Sequence, residues 1–341
     1  MADKRHAGRW HRGLARFGQG ARNAIEVLRE GRMGSPYRAP FDVVEEERRF
    51  RLRRYQAPEG VARAVAQPLL LVPPLMVSSE VYDISPELSA VAWLVAQGLD
   101  VWLVDFGVPE HEEGGLERTL DDHVLAVDRC IERVREETGG QDVHLIGYSQ
   151  GGMFVYQCAA YRRSAGLASL VTMGSPVDIW KNLPVPIHSE VTERLLMAAR
   201  APVTAAIREL PGLPGAITST GFKLLSARKE IKQLGHLLGL ASDKQAMRDA
   251  ANEPKRRFLN GEGFVAWPGP AFRKFVDDMI VNNRMASGGF VIAGRTVALA
   301  DIRCPVLYFV GRRDEIAFPA AVRAIRKAAP EAEMHEVTVA T

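Results

Sequence analysis

The chain has 341 residues, 47% of them hydrophobic and 25% charged, enough to bury a full core and ordinary for a globular protein. Its formal net charge of +3 gives no strong pull toward polyanions, and no apolar run nears the ~20 residues that span a bilayer, Pro68–Val77 being the longest. Three scattered cysteines (Cys130, Cys158, Cys304) argue against a disulfide scaffold, and with no C-x-x-C or H-E-x-x-H spacing neither a metal nor a cofactor is expected.

The start, Met1-Ala-Asp-Lys-Arg-His, lacks the apolar core of a secretion signal, and the cysteines read as buried thiols of a reducing compartment. A cytoplasmic protein is expected. Residues 1–54 hold 14 Lys/Arg and 7 Asp/Glu, a balance of +7 that leaves −4 for the rest. Trp10, Leu14, Phe17, Ala21, Ile25 and Leu28 recur at helical steps, although Gly18 and Gly20 weaken a helix there. Residues 1–40 are therefore set apart as a basic amphipathic segment, suited either to a lipid surface or to docking on its own domain. No aromatic-interleaved basic platform follows, so nucleic acid is not an expected partner.

Phe50-Arg-Leu-Arg-Arg-Tyr55 alternates as a strand does, and Pro68-Leu-Leu-Leu-Val72 is a fully apolar strand of the kind found inside a parallel sheet. A helix over 91–96 leads to a strand at Val101-Trp-Leu-Val104. Leu120, Val124, Val127, Ile131 and Val134 mark an amphipathic helix ended by Gly139-Gly140. Further strands are expected over 143–146, 167–173, 304–310 and 333–340, with a helix around 320–328 between the last two. This alternation means a doubly wound, mostly parallel α/β sheet, a single domain over 41–341. The stretch from Met173 to Pro305 is too long for a loop, and its helix-like, Pro- and Gly-rich content suggests a cap inserted over about 178–299. Within it, helices are expected over 191–199, 221–240 and 272–281.

Two short motifs are set aside. Asp105-Phe106-Gly107 matches the kinase D-F-G without the lysine strand or H-R-D loop that a kinase needs. Gly289–Thr296 approximates a phosphate loop, but its interior is strand-like and Arg295 stands where lysine is required, so a hairpin is expected.

The chemistry centres on Gly147-Tyr148-Ser149-Gln150-Gly151, preceded by strand-like residues and followed by helical spacing. This is the G-x-S-x-G nucleophile elbow, a strand-to-helix turn too sharp for side chains at its flanks that leaves the serine hydroxyl exposed at its apex. The backbone N–H of Gln150 is a candidate oxyanion donor at a positive helix end. A second donor should follow the first apolar strand. Pro73 and Pro74 have no N–H, which moves it to about Leu75 or Met76, with Leu75 preferred. Serine needs a base, and the base an orienting acid, in the order Ser, Asp/Glu, His. Asp314, in a polar turn after the strand over 304–310, is the candidate acid, with Glu315 its competitor. No histidine fits as well. His335 lies inside the last strand, His144 on the elbow strand, His123 on a helix flank, and His188 and His236 in the cap region. The base is expected beyond Thr341, which would make the chain a piece of a longer protein.

Several stretches together are similar to polyhydroxyalkanoate synthases: Pro68-Leu-Leu-Leu-Val-Pro-Pro-Leu75, Asp83-Ile-Ser-Pro-Glu-Leu-Ser89, Trp93-Leu-Val-Ala-Gln-Gly98, Thr119-Leu-Asp-Asp122 and Leu145-Ile-Gly-Tyr-Ser-Gln-Gly-Gly152. Asn282-Asn-Arg-Met-Ala-Ser-Gly-Gly289, Ala300-Asp-Ile-Arg-Cys-Pro305 and Asp314-Glu-Ile316 extend the resemblance over roughly residues 40–341. It implies an α/β-hydrolase fold with a mobile cap, acting on (hydroxy)acyl-CoA thioesters, with Ser149 at the nucleophile position and Asp314 at the acid position. Polymerising members of that family carry cysteine where this chain has Ser149, and their histidine sits in a Gly-His pair after the last strand, a position expected beyond Thr341. Serine-based acyl transfer on acyl-CoA or ester substrates is the expected function, in what could be the front part of a longer acyl-CoA-metabolising protein. Plain esterase or thioesterase activity is the first alternative, and a non-catalytic lipid- or protein-binding scaffold the second. The expected partners are that substrate and a lipid or polyester surface met by the basic N-terminus, and a homodimer is compatible with the chain.

Overall fold

The computed structural model describes residues 39–182 and 263–340, with residues 212–215, 217, 243, 245, 246, 249, 253 and 258 between them. The amphipathic segment, most of the region expected to form the cap, and the helices expected over 191–199 and 221–240 lie outside the described residues.

Eight strands form one sheet in the order β1-β2-β4-β3-β5-β6-β7-β8. They are β1 (Phe41–Glu47), β2 (Phe50–Tyr55), β3 (Leu69–Val72), β4 (Val101–Asp105), β5 (Val143–Tyr148), β6 (Leu167–Met173), β7 (Val306–Gly311) and β8 (Met334–Val339). From β4 onward across the sheet every pairing is parallel, whereas β1 pairs with β2, and β2 with β4, antiparallel. The expected doubly wound sheet is thus present, and the strand expected from Cys304 begins at Val306, after Pro305.

Side-chain alternation fills two faces at once. Leu70, Val72, Trp102, Val104 and Leu145 pack into the core on one side, and Leu69, Leu71, Val101, Leu103 and Ile146 into the core on the other. That double burial is why β3 and β4 read as continuous apolar runs. The first face is covered by α2 (Leu120–Glu137) and α3 (Gln150–Arg162), while α1 (Ala90–Ala96) contributes Val91 and Val95 to the second. Thr119 and Asp122 close a capping box at the start of α2, satisfying two backbone donors. All residues from Gln150 to Ala160 are buried, so α3 is a central helix with no solvent face over that span.

Two departures from expectation are local. Strand β1 was not anticipated because Phe41-Asp-Val-Val-Glu-Glu-Glu47 carries charge on both faces, as an edge strand can. The helix expected over 272–281 starts earlier, at Gly269, and widens into π-helical turns over Val276–Val281. The hairpin expected in place of a phosphate loop is present as Phe290–Ile292 paired with Arg295–Val297, turning through Ala293 and Gly294, both at positive φ. Asp105, of the D-F-G look-alike, ends β4 and forms a buried ion pair with Arg53.

Candidate active site

Strand β5 and helix α3 are separated by a single residue, Ser149, at φ 52 and ψ −120. A non-glycine residue holds such a conformation only where its surroundings over-determine it. Here the Ser149 N–H donates to Met173 O (2.8 Å) and its carbonyl accepts from Gly152 N (3.1 Å), which binds the turn to β6 on one side and to α3 on the other. The glycines are required by backbone proximity. A Cβ on Gly147 would lie 2.5 Å from Gly152 Cα, and one on Gly151 would lie 2.2 Å from Val72 O.

The first turn of α3 leaves the Gln150 and Gly151 N–H groups without partners among the described residues, at the positive end of a 13-residue helix. Across from them runs the loop after β3. The N–H of Leu75, the preferred second donor, instead donates to Gln150 Oε1 at 3.0 Å in a buried bond. It is therefore already engaged. The neighbouring Met76 N–H has no partner among the described residues.

Asp314 lies in the turn after β7, at the same sheet edge as Ser149. Its Oδ1 accepts from Ile316 N and Ala317 N, both at 2.9 Å. Its Oδ2 faces Gly174, where an added Cβ would stand 3.6 Å away. Gly174 directly follows β6, the strand between β5 and β7, so the carboxylate points back across the sheet toward the elbow. Glu315 is exposed. Asn182 holds this turn from a distant part of the chain, accepting from Phe318 N (2.7 Å) and donating to Ile316 O. Nothing in the local sequence signals that role. Asn182→Ala is expected to remove about 1 kcal/mol of stability and to speed amide exchange selectively over 314–318; unchanged exchange there would show that the turn stands without Asn182.

None of the four described histidines sits beside Ser149 and Asp314. His335 is level with Leu307 in β7, two residues below the level of Tyr148 and three strands away, roughly 15 Å at ordinary strand spacings. It pairs with Glu333 at 3.1 Å. His144 is bonded through Nδ1 to Ser169 Oγ (2.7 Å), five residues below the elbow on β5. His111 lines a cavity of about 470 Å³ with Arg51, Arg53 and Asp105, and neither Ser149 nor Asp314 reaches it. His123, expected on a helix flank, is in the core, only 1% exposed, between Phe106 and Phe154. Burial pushes its pKa down to about 4, only partly offset by its bond to the Thr119 carbonyl. His188 and His236 lie outside the described residues.

The three cysteines are buried and free, and burial raises each thiol's pKa, so none is a reactive thiolate. Among the described residues no cluster of His, Cys, Asp and Glu could hold a metal, and no helix is long and apolar enough to cross a membrane.

A family model described as alpha/beta hydrolase fold matches residues 68–340. The poly(3-hydroxyalkanoate) polymerase subunit PhaC of Allochromatium vinosum is 31% identical over 321 residues, covering 91% of this chain and 83% of its own length. That of Thiocystis violacea is 28% identical over 295 residues, covering 84% and 77%. Among solved structures, a monoacylglycerol lipase of Paleococcus ferrophilus is similar at 17% identity and a TM-score of 0.48, covering 85% of this chain and 88% of that one. The chain belongs to the α/β-hydrolase fold family, as a polyhydroxyalkanoate synthase-like member of it. It is an enzyme of the hydrolase-fold class, of acyl-transferring or hydrolytic type.

Proposed function

We propose that this chain catalyses acyl transfer from acyl-CoA or ester substrates through a serine ester on Ser149. The observation that carries the proposal is the Ser149 backbone, at positive φ between a buried strand and a buried helix, with free N–H groups beside it. Ser149 Oγ would attack the substrate carbonyl as a base takes its proton. The C–S or C–O bond then breaks as that proton passes to the departing thiol or alcohol, and an acceptor hydroxyl later takes the acyl group from the serine ester. The developing oxyanion would be held by the Gln150 N–H and by a donor of the loop after β3, for which Met76 N–H is available and Leu75 N–H is not while Gln150 holds it. Asp314 would orient the base, an imidazole supplied from outside the described residues. The region over about 178–299 would form the cap that bounds the acyl site.

Hydrolysis is the second reading, and the serine itself favours it. An oxygen ester is a weaker acyl donor than the thioester a cysteine would form, so repeated chain transfer loses ground to attack by water. Two measurements decide. A fluorophosphonate probe should label Ser149 in this chain or in a version extended past Thr341, and Ser149→Ala should abolish the labelling. No labelling of either version would leave a scaffold that keeps the fold without the chemistry. With 3-hydroxyacyl-CoA, free acid as product would identify a hydrolase, and an ester-linked product an acyltransferase.

A further inference from the structure

The Gln150 side chain ties together two segments 75 residues apart, the start of α3 and the loop after β3. Both ends are buried, with Gln150 4% and Leu75 1% exposed. A backbone N–H can only donate, so the atom facing Leu75 must be the amide oxygen Oε1, and the side-chain orientation follows from chemistry. The amide nitrogen Nε2 is then left buried without a hydrogen-bond partner. Methionine, of similar volume, would remove that orphaned donor but leave the buried Leu75 N–H unpaired in its place. The loop is otherwise held through its carbonyls, Pro74 O accepting from Val77 N and Met76 O from Val265 N. Pro73 and Pro74 supply no N–H, so Leu75 and Met76 are its only amide donors between Val72 and Val77. One of those two is committed to Gln150. The contact is also tight, since the backbone of Val72 and Pro73 lies against Gly151.

We infer that Gln150 is a positioning residue: its side-chain carbonyl clamps the loop at Leu75 so that the adjoining Met76 N–H is held opposite the Gln150 N–H, on the far side of the oxyanion. The inference rests on Ser149 being the nucleophile, as proposed above. In the same residue the backbone would stabilise charge while the side chain fixes the other half of the site.

The test uses the full chain with Gln150→Met, which keeps volume and loses the acceptor, and Gln150→Glu, which keeps the acceptor. Amide exchange at Leu75 should accelerate at least about tenfold in the methionine variant and stay near wild type in the glutamate variant. The rate of fluorophosphonate labelling of Ser149 should fall about tenfold in the methionine variant, and with an ester substrate the loss should appear in kcat with KM unchanged. The glutamate variant should recover Leu75 protection without recovering rate, because its charge opposes the developing oxyanion. Unchanged exchange at Leu75 in Gln150→Met would overturn the clamp. Lost protection with an unchanged labelling rate would overturn its role in positioning. Should wild type fail to label both as this chain and extended past Thr341, the nucleophile assignment falls, and with it the positioning role, while Leu75 exchange still decides whether the clamp exists.

Discussion

Gly151→Ala is expected to reduce the reactivity of Ser149 by about 10²- to 10³-fold, the usual effect of losing an oxyanion donor. The new methyl would lie 2.2 Å from Val72 O and 2.8 Å from Pro73 C, both backbone atoms, so no side chain can swing aside to admit it. Val72 cannot retreat either, because it is paired with Gly147 in the centre of the sheet. The strain must move α3 away from the loop after β3, which separates the N–H groups on the two sides of the site. A stability loss of about 1–3 kcal/mol should accompany it, as overpacking of a filled interior typically costs. Gly152→Ala supplies the comparison. Its Cβ would meet Ser175 Oγ at 1.9 Å, which can rotate, and Ser175 Cβ at 2.7 Å, which cannot, so it strains the turn after β6 and not the loop after β3. The two variants, compared by thermal unfolding and by fluorophosphonate labelling, should differ in the second readout. Equal labelling would mean that loop contact does not govern the site.

Acidification should destabilise the protein through His123. The folded-state pKa of about 4 lies below the ordinary value of 6.5. Between these values the unfolded chain binds a proton that the folded chain excludes, so stability falls as pH drops from about 6.5 to about 4 and this contribution levels off below. The difference is worth about 3 kcal/mol. Its physical origin is plain: Nδ1 carries the proton shared with the Thr119 carbonyl, and Nε2 is buried without a partner between two phenylalanine rings. Arg118 and Arg49 oppose a second positive charge there, whereas Asp122 favours it. His123→Phe keeps an aromatic ring in that place and removes the titration. Urea unfolding at pH 7 and pH 4.5 should show a smaller pH difference in the variant than in wild type, and parallel curves for the two proteins would refute the assignment.

Much of this could be read from the chain itself, for reasons that differ by element. The elbow was legible because close backbone approach demands glycine, and glycine at that spacing is visible. Strands β3 and β4 were legible because burial on both faces strips a strand of polar residues, and β5 to β7 because they stay mostly apolar. The edge strand β1 was not, since its glutamates break the apolar pattern. His123 could have been found: it falls three residues after Leu120, on the apolar stripe of α2 rather than its flank. The roles of Gln150 and Asn182 could not. Each is one polar residue whose partner lies 75 or 134 residues away, a pairing that no local periodicity records.

The turn Met173-Gly174-Ser175 is shared by both halves of the candidate site. Met173 O receives the Ser149 N–H, Gly174 faces the Asp314 carboxylate, and Gly174 N bonds to Phe309 O of β7. Serine and acid thus share this turn as a common neighbour, in addition to the bonds that hold Asp314 within its own turn. A fluctuation that opens this turn releases both together, so the site should behave as one cooperative unit in local unfolding. A reporter on the serine and a reporter on the acid should then register a single transition at one temperature, below or at the melting of the sheet.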